Sequence, residues 1–196
     1  MTITSELHIT AVAALPTRHG NFKIESFRFR DMTEPHLALS MGLDENKIPV
    51  VRIHSECITG DVFGSLRCDC GDQLQDAIRQ IGKAGTGLVI YLRQEGRGIG
   101  IEKKLQAYAL QERGLDTVDA NLALGLPIDS RSYDSAVTFL TYLKIRRCVL
   151  LTNNPDKVAA LRDHNISVTR APLIGSNHAT CRDYLATKRI KLGHDC

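Results

Sequence analysis

The chain has 196 residues, 43% of them apolar and 24% charged, a length and balance that suit one globular domain with a buried core. Its net charge of +3 is too small to imply a nucleic-acid or membrane surface, so an anion would have to be bound by a local arrangement of basic groups. No stretch approaches the roughly 18 apolar residues of a membrane span, and the opening MTITSELHITAVAA lacks the basic start and unbroken apolar core of a secretory signal. We therefore expect a cytoplasmic protein whose thiols are ligands or nucleophiles rather than disulfide halves.

The first fifty or so residues predict β structure. Residues 7–15 are mostly apolar, 21–30 alternate through Phe22, Ile24, Phe27 and Phe29, and a third apolar run at 36–41 precedes a break at 42–46. That pattern predicts an antiparallel meander. After Pro49, Val50, Val51 and Ile53 alternate with Arg52 and His54 in a further strand, which delivers the chain into a cysteine-rich segment. From Asp72 the signal becomes helical, with Leu74, Ala77, Ile78 and Ile81 on one face and Gly82 and Gly85 as the stop. Residues 87–92 are a continuous apolar run of strand length, suited to burial on both faces, and lead into the glycine-rich RQEGRGIG at 93–100. Ile101, Leu105, Tyr108 and Ala109 resume helical spacing as far as Gly114. A loop is expected through Asn121, Gly125 and Pro127, then a helix at 132–143, a strand at 147–152 and a helix opened by Asn154 and Pro155. A strand at 166–170 and a helix at 182–192 complete the series. A β-rich beginning followed by alternating strands and helices predicts an α+β or α/β fold with a mixed sheet.

The run RIHSECITGDVFGSLRCDCGDQ, residues 52–73, holds three of the six cysteines. Cys57, Cys68 and Cys70 form C-x10-C-x-C; thiolates suit zinc, and three of them leave open the fourth position that separates a catalytic ion from a structural one. His54, Cys148, Cys181 and Cys196 are candidates to close it, and the plain alternative is three small buried cysteines. His54-Ser55-Glu56 matches half of the zinc deaminase signature, but the P-C-x-x-C half is absent and deamination falls to a minor reading.

Three other segments carry a chemical option beside a structural one. In RQEGRGIG a strand feeds a glycine-rich turn that opens a helix, where backbone N–H groups can approach an anion. Its glycines at 96, 98 and 100 match no named nucleotide fingerprint, and by itself it reads as a solvated turn with a surface ion pair. In LTNNPDK, Asn154 suits an N-cap and Pro155 the first helical position, giving either a plain cap or a phosphate corner with Lys157. Asp129 or Ser130 reads locally as a helix cap, and Tyr108, sharing a face with Leu105 and Ala109, as a core tyrosine.

In order, RIHSECITGDVFGSLRCDCG, RQEGRGIG, KLQAYALQ, DTVDANLALG, LLTNNPDKV and YLATKRIKLGH together resemble the GTP cyclohydrolase II family, the first enzyme of riboflavin biosynthesis. The resemblance covers nearly the whole chain and is weakest over the first forty-odd residues. It implies a single catalytic domain over residues 1–196, in the stand-alone form without a fused 3,4-dihydroxy-2-butanone 4-phosphate synthase domain, and a homodimer. The implied reaction opens the imidazole ring of GTP hydrolytically, with C8 lost as formate and the terminal phosphates as pyrophosphate. The product would be 2,5-diamino-6-(5-phosphoribosylamino)pyrimidin-4(3H)-one. One zinc ion per subunit and Mg²⁺ on the triphosphate are the implied cofactors.

Position by position, the resemblance implies Cys57, Cys68 and Cys70 as zinc ligands. It assigns GTP binding to Arg52, Ile53, His54, Ser55 and Glu56, and to Gln73. Glu95, Gly96 and Arg97 join them, as do Thr117, Thr152 and Lys157. Tyr108 falls on a tyrosine that works near the zinc, Asp129 on a proton acceptor and Arg131 on a nucleophile. A guanidinium is protonated across the usable pH range and is a poor nucleophile, so electrostatic stabilisation of the α-phosphoryl group is the simpler role for Arg131. Three thiolates around Zn²⁺ leave a net negative centre that acidifies water less than three histidines would, and Tyr108 is the expected help.

Overall fold

The computed structural model describes residues 7–29, 32–127 and 129–173. The alternating start of the chain forms β1 (His8–Thr17), β2 (Gly20–Arg28) and β3 (His36–Met41), each antiparallel to the next, as the meander predicts. Four further strands, β4 (Val50–Ser55), β5 (Gly87–Leu92), β6 (Arg147–Leu151) and β7 (Ser167–Ala171), complete one sheet in the order β1-β2-β3-β5-β4-β6-β7. β3 meets β5 antiparallel, whereas β5, β4, β6 and β7 run parallel, so the sheet is mixed and the fold is α+β.

Parallel neighbours need crossover connections, and helices supply them. α1 (Ile58–Asp61) and α2 (Cys70–Ala84) link β4 to β5; α3 (Ile101–Gln111), α4 (Thr117–Ala123) and α5 (Asp134–Tyr142) link β5 to β6; α6 (Pro155–Arg162) links β6 to β7. Strand side chains alternate between the faces, which sorts the apolar run of β5. Leu88, Ile90 and Leu92 join Phe27, Ile53, Leu150 and the α5 residues Phe139 and Leu140, with Phe27 stacked on Phe139 at 4.2 Å. Val89 faces the other way, onto Phe22 and Ile81 of α2. Each such fully buried side chain contributes about 1.5–3 kcal/mol, which is why β5 carries no polar residue on either face until Tyr91.

Two local expectations change. α2 begins at Cys70, inside the cysteine motif, and runs through Gly82 to Gly85, whose φ of 65° and N–H bond to the Ile81 carbonyl end it. Gly82 has a packing reason instead: a Cβ there would stand 2.2 Å from the His19 carbonyl oxygen in the β1–β2 turn. Gly82→Ala should therefore cost roughly 1–3 kcal/mol by overpacking, read as a lower melting temperature; an unchanged melt would mean the turn yields freely. The loop expected around Asn121 is instead α4, started by Asp116 Oδ1, which accepts from Asp119 N at 3.0 Å, and seated by buried Ala120 and Asn121. Seven residues are too few to display a helical period. The helix expected at 182–192 lies outside the described residues. Among the described residues no helix is long and apolar enough to cross a membrane.

Candidate active site

The sequence segments with chemical options leave the carboxyl ends of three adjacent parallel strands. β4 pairs with β5 on one side and β6 on the other, so residues 55–57, 93–98 and 152–157 emerge side by side, the place where open parallel sheets bind ligands. From them, residues 55–57, 95–97 and 152–154 with Lys157 line an open cleft of about 1050 Å³, counting the solvent at its mouth.

At its base lies the cysteine trio. Cys57 precedes α1, Cys68 sits in the following loop and Cys70 opens α2. All three sulfurs lie within 4.8 Å of one another, and Cys57 Sγ is 3.6 Å from Cys68 Sγ. Tetrahedral zinc with Zn–S of about 2.3 Å spaces its sulfurs about 3.8 Å apart, so the donor set and spacing fit a metal ion. Gly60 backs the trio closely: a Cβ there would be 3.0 Å from Cys68 Sγ and 3.3 Å from Cys57 Sγ. Hydrogen bonds from Cys68 and Cys70 and the nearby Lys104 ammonium lower the Cys57 thiol below its ordinary value, and the contact with Cys57 raises Cys68. Among the described residues no histidine or carboxylate joins the cluster. Cys148 is buried in the sheet core, where burial pushes its thiol up to about 12, and His54 turns towards Asp61. Neither closes the fourth position; Cys181 and Cys196 lie outside the described residues.

Asp61, the last residue of α1 and part of no pattern that points to chemistry, organises this segment. Its carboxylate accepts from Cys57 N at 3.0 Å and from the Tyr91 hydroxyl at 2.8 Å, and lies 3.0 and 3.1 Å from His54 Nε2. Burial drives the His54 pKa below its ordinary value despite the carboxylate, so the ring is neutral with Nε2 as the donor. A strand aromatic and the closing aspartate of α1 thereby fix the backbone that carries Cys57.

The surface-turn expectation for residues 93–100 is overturned. Glu95 is 8% exposed; its Oε2 accepts from Ile58 N at 2.6 Å, and its Oε1 from Gly96 N and Lys104 Nζ, both at 2.7 Å. Gly96 and Arg97 both take the left-handed conformation, with φ of 61° and 62°. For Arg97 that costs on the order of 1–3 kcal/mol, strain that persists where a surrounding site imposes it. Lys104 Nζ also lies 3.0 Å from Thr59 Oγ1 and 3.2 Å from Cys57 Sγ. Burial lowers the Lys104 pKa, but the Cys57 thiolate and Glu95 outweigh it and raise the ammonium above its ordinary value. One turn on, Tyr108 is no core residue: Ala107 takes that place, and the Tyr108 ring lines the cleft with the Arg67 guanidinium 4.7 Å from its centroid. Burial pushes its phenol up to about 12, so it stays protonated.

The remaining site residues come from β4, β6 and the loop before α5. Arg52 is buried, donating to the Leu151 carbonyl at 3.0 Å and to Gln73 Oε1 at 2.7 Å; burial lowers its pKa to about 10, still cationic at neutral pH. Lys157, also buried, donates to the Ile53 carbonyl at 2.9 Å, while the Ile53 side chain itself lies in the core. Asn154 caps α6 as predicted, its Oδ1 accepting from Asp156 N at 2.8 Å, and Thr152 Oγ1 accepts from Asn154 N at 3.0 Å. Ser55, Glu56, Gly96 and Arg97 line the cleft, and Glu56 pairs with Arg93, which also pairs with Glu34. Asp129 does not cap α5; Ser132 Oγ accepts from Asp134 N, while Asp129 Oδ1 accepts from Arg131 N and Nε at 2.9 Å each. Burial would raise the Asp129 pKa, yet Arg131 holds it below the usual carboxylate value, and Arg131 faces the cleft. The Thr117 side chain lies outside the described residues; α4 brings Asn121 to the cleft.

The class that fold and site define is an α+β enzyme whose parallel strand ends surround a cysteine trio able to hold a metal ion. The profile of the GTP cyclohydrolase II family matches residues 8–172. A GTP cyclohydrolase-2 from Acinetobacter baumannii (strain SDF) is 49% identical over 191 residues, 96% of this chain and 96% of that one. The riboflavin biosynthesis protein RibBA of Salinispora tropica is 49% identical over 192 residues, 96% of this chain and 48% of that protein. Among solved structures, RibBX, a two-domain 3,4-dihydroxy-2-butanone 4-phosphate synthase from A. baumannii, aligns at TM-score 0.48 and 17% identity over 83% of this chain and 40% of that one, a likeness too slight to carry an argument. The chain belongs to the GTP cyclohydrolase II family, hydrolases of riboflavin biosynthesis.

Proposed function

We propose that this protein opens the imidazole ring of GTP in a zinc- and Mg²⁺-dependent reaction, releasing formate and pyrophosphate. The product is 2,5-diamino-6-(5-phosphoribosylamino)pyrimidin-4(3H)-one. One observation carries the reading: the cysteine trio shares a single cleft with a protonated phenol, Tyr108, and with the cations Arg52, Arg131 and Lys157. A chemistry that joins ring hydrolysis to phosphate release needs both halves in one place.

Cys57, Cys68 and Cys70 would hold the zinc, which when bound supplies Lewis acidity that makes water a nucleophile near neutral pH. One water adds at C8 and opens the ring, a second cleaves the resulting formamide to formate, and a third replaces pyrophosphate on the α-phosphorus. Tyr108 donates a hydrogen bond to the oxyanion that develops at C8. Lys157 and Arg131 receive the phosphates with Mg²⁺, and Asp129, which accepts from Arg131, holds that guanidinium towards the α-phosphoryl group. Ser55, Glu56, Gln73, Glu95, Gly96, Arg97, Thr117 and Thr152, with the backbone of Ile53 and the ring of His54, complete the nucleotide site. A single catalytic domain, a homodimer and a cytoplasmic setting belong to the same proposal.

Stopping at the formamidopyrimidine is the second reading, and the place of Tyr108 beside the thiols favours the full reaction. Zinc-loaded protein given GTP and Mg²⁺ should release formate and pyrophosphate together. Formamidopyrimidine without formate would favour the shorter reaction. Full zinc occupancy with no GTP consumed would overturn the enzymatic reading.

A further inference from the structure

Lys104 opens the KLQAYALQ block but has no chemical role assigned by the sequence, yet its side chain is only 11% exposed and its ammonium ends at the cysteine trio. An ammonium has three donors. Three acceptors surround this one: Glu95 Oε1 at 2.7 Å, Thr59 Oγ1 at 3.0 Å and Cys57 Sγ at 3.2 Å. They come from three segments, the turn after β5, α1 and the residue before α1. Glu95 in turn accepts from Ile58 N at 2.6 Å, so α3 reaches Cys57 by two routes, directly at the sulfur and through the carboxylate to the next residue's backbone.

A plain buried ion pair with Glu95 would explain one of these contacts. It would not explain a cation aimed at the sulfur of a candidate metal ligand. Three thiolates and a divalent metal sum to one negative charge, and buried Glu95 adds another; a fixed cation between them offsets that repulsion. An N–H···S bond also draws electron density from the sulfur, as partners of the ligands do when they tune a bound metal.

We infer that Lys104 is a positioning residue for the metal centre, clamping Cys57, Thr59 and Glu95 and offsetting the charge of the thiolate trio. The inference rests on the proposed zinc site.

The test compares wild type with Lys104→Met and Lys104→Arg. Zinc affinity is read by chelator competition, and the sulfur-to-metal charge-transfer band is read in the cobalt-substituted protein. Lys104→Met should weaken zinc binding roughly 10- to 100-fold and move the band to longer wavelength; Lys104→Arg should recover most of both. Should the methionine variant fail to fold by circular dichroism, Lys104→Gln, which keeps a donor but no charge, should give an intermediate loss. Unchanged affinity and an unchanged band in a folded neutral variant overturn the inference and leave the GTP reading standing, even if turnover falls. A wild type that binds no zinc overturns both.

Discussion

Cys68→Ser is expected to remove metal and turnover together while leaving the sheet folded. A serine hydroxyl is not among the groups that bind zinc well, and only three cysteines converge among the described residues, so losing one leaves two ligands. Zinc per chain should fall from about one to near zero, and GTP consumption by roughly a thousandfold or more, because unassisted water is a far weaker nucleophile than water activated by a Lewis acid. The trio lies outside the apolar clusters that hold the sheet, and the α1 segment keeps its Asp61 hydrogen bonds. Melting should therefore drop by only a few degrees, about 2–4 °C per kcal/mol at this size. Cys148→Ala supplies the contrast: it opens space in the core beside Leu150 and costs about 1 kcal/mol or more, but zinc content should stay at the wild-type level. Stoichiometric zinc in Cys68→Ser, or its loss in Cys148→Ala, would overturn the assignment of the metal to the trio.

The split between these cysteines shows what the sequence carried and what it did not. Period-2 and continuous apolar patterns placed the strands within a residue or two; in β2 to β6 burial on one or both faces imprints itself on the segment, whereas β1 is apolar without a buried residue. The cysteine motif and the Asn154 cap were legible for a different reason: partners lie within a few residues, as in Cys68 and Cys70 or Asn154 and Asp156. Lys104 was not legible, since its sulfur partner is 47 positions away and only the parallel pairing of β4 with β5 brings them together. Local pattern alone made Glu95 a surface acid for the same cause, although the resemblance put it in the nucleotide site; its donor, Ile58 N, is 37 positions upstream. Tyr108 shows the opposite error. Helical spacing put it on the face of Leu105, but in α3 it is Ala107 that packs inward, so the tyrosine lines the cleft and Leu105 is exposed.

Tyr108→Phe should separate chemistry from metal binding more sharply than any other single change. The phenol's ring is held by the Arg67 guanidinium at 4.7 Å and by the Lys104 ammonium at 5.8 Å, contacts a phenylalanine ring can keep, so the site should retain its shape and its zinc. What the variant lacks is the hydroxyl proton. With its pKa pushed up to about 12 by burial, that group is a donor throughout the working range and never a base. A donor aimed at charge that develops only in the transition state contributes about 10²- to 10³-fold to kcat. Formate release should fall by that factor with KM for GTP changed little, since in the proposed site Lys157 and Arg131, not Tyr108, receive the phosphates. Loss of this proton should not lower the wild-type rate below about pH 9, because the phenol titrates only near its raised pKa of about 12 and buried Arg52 stays cationic until about 10. A variant that releases formate at the wild-type rate, or one that loses zinc, would end the role of Tyr108 as donor.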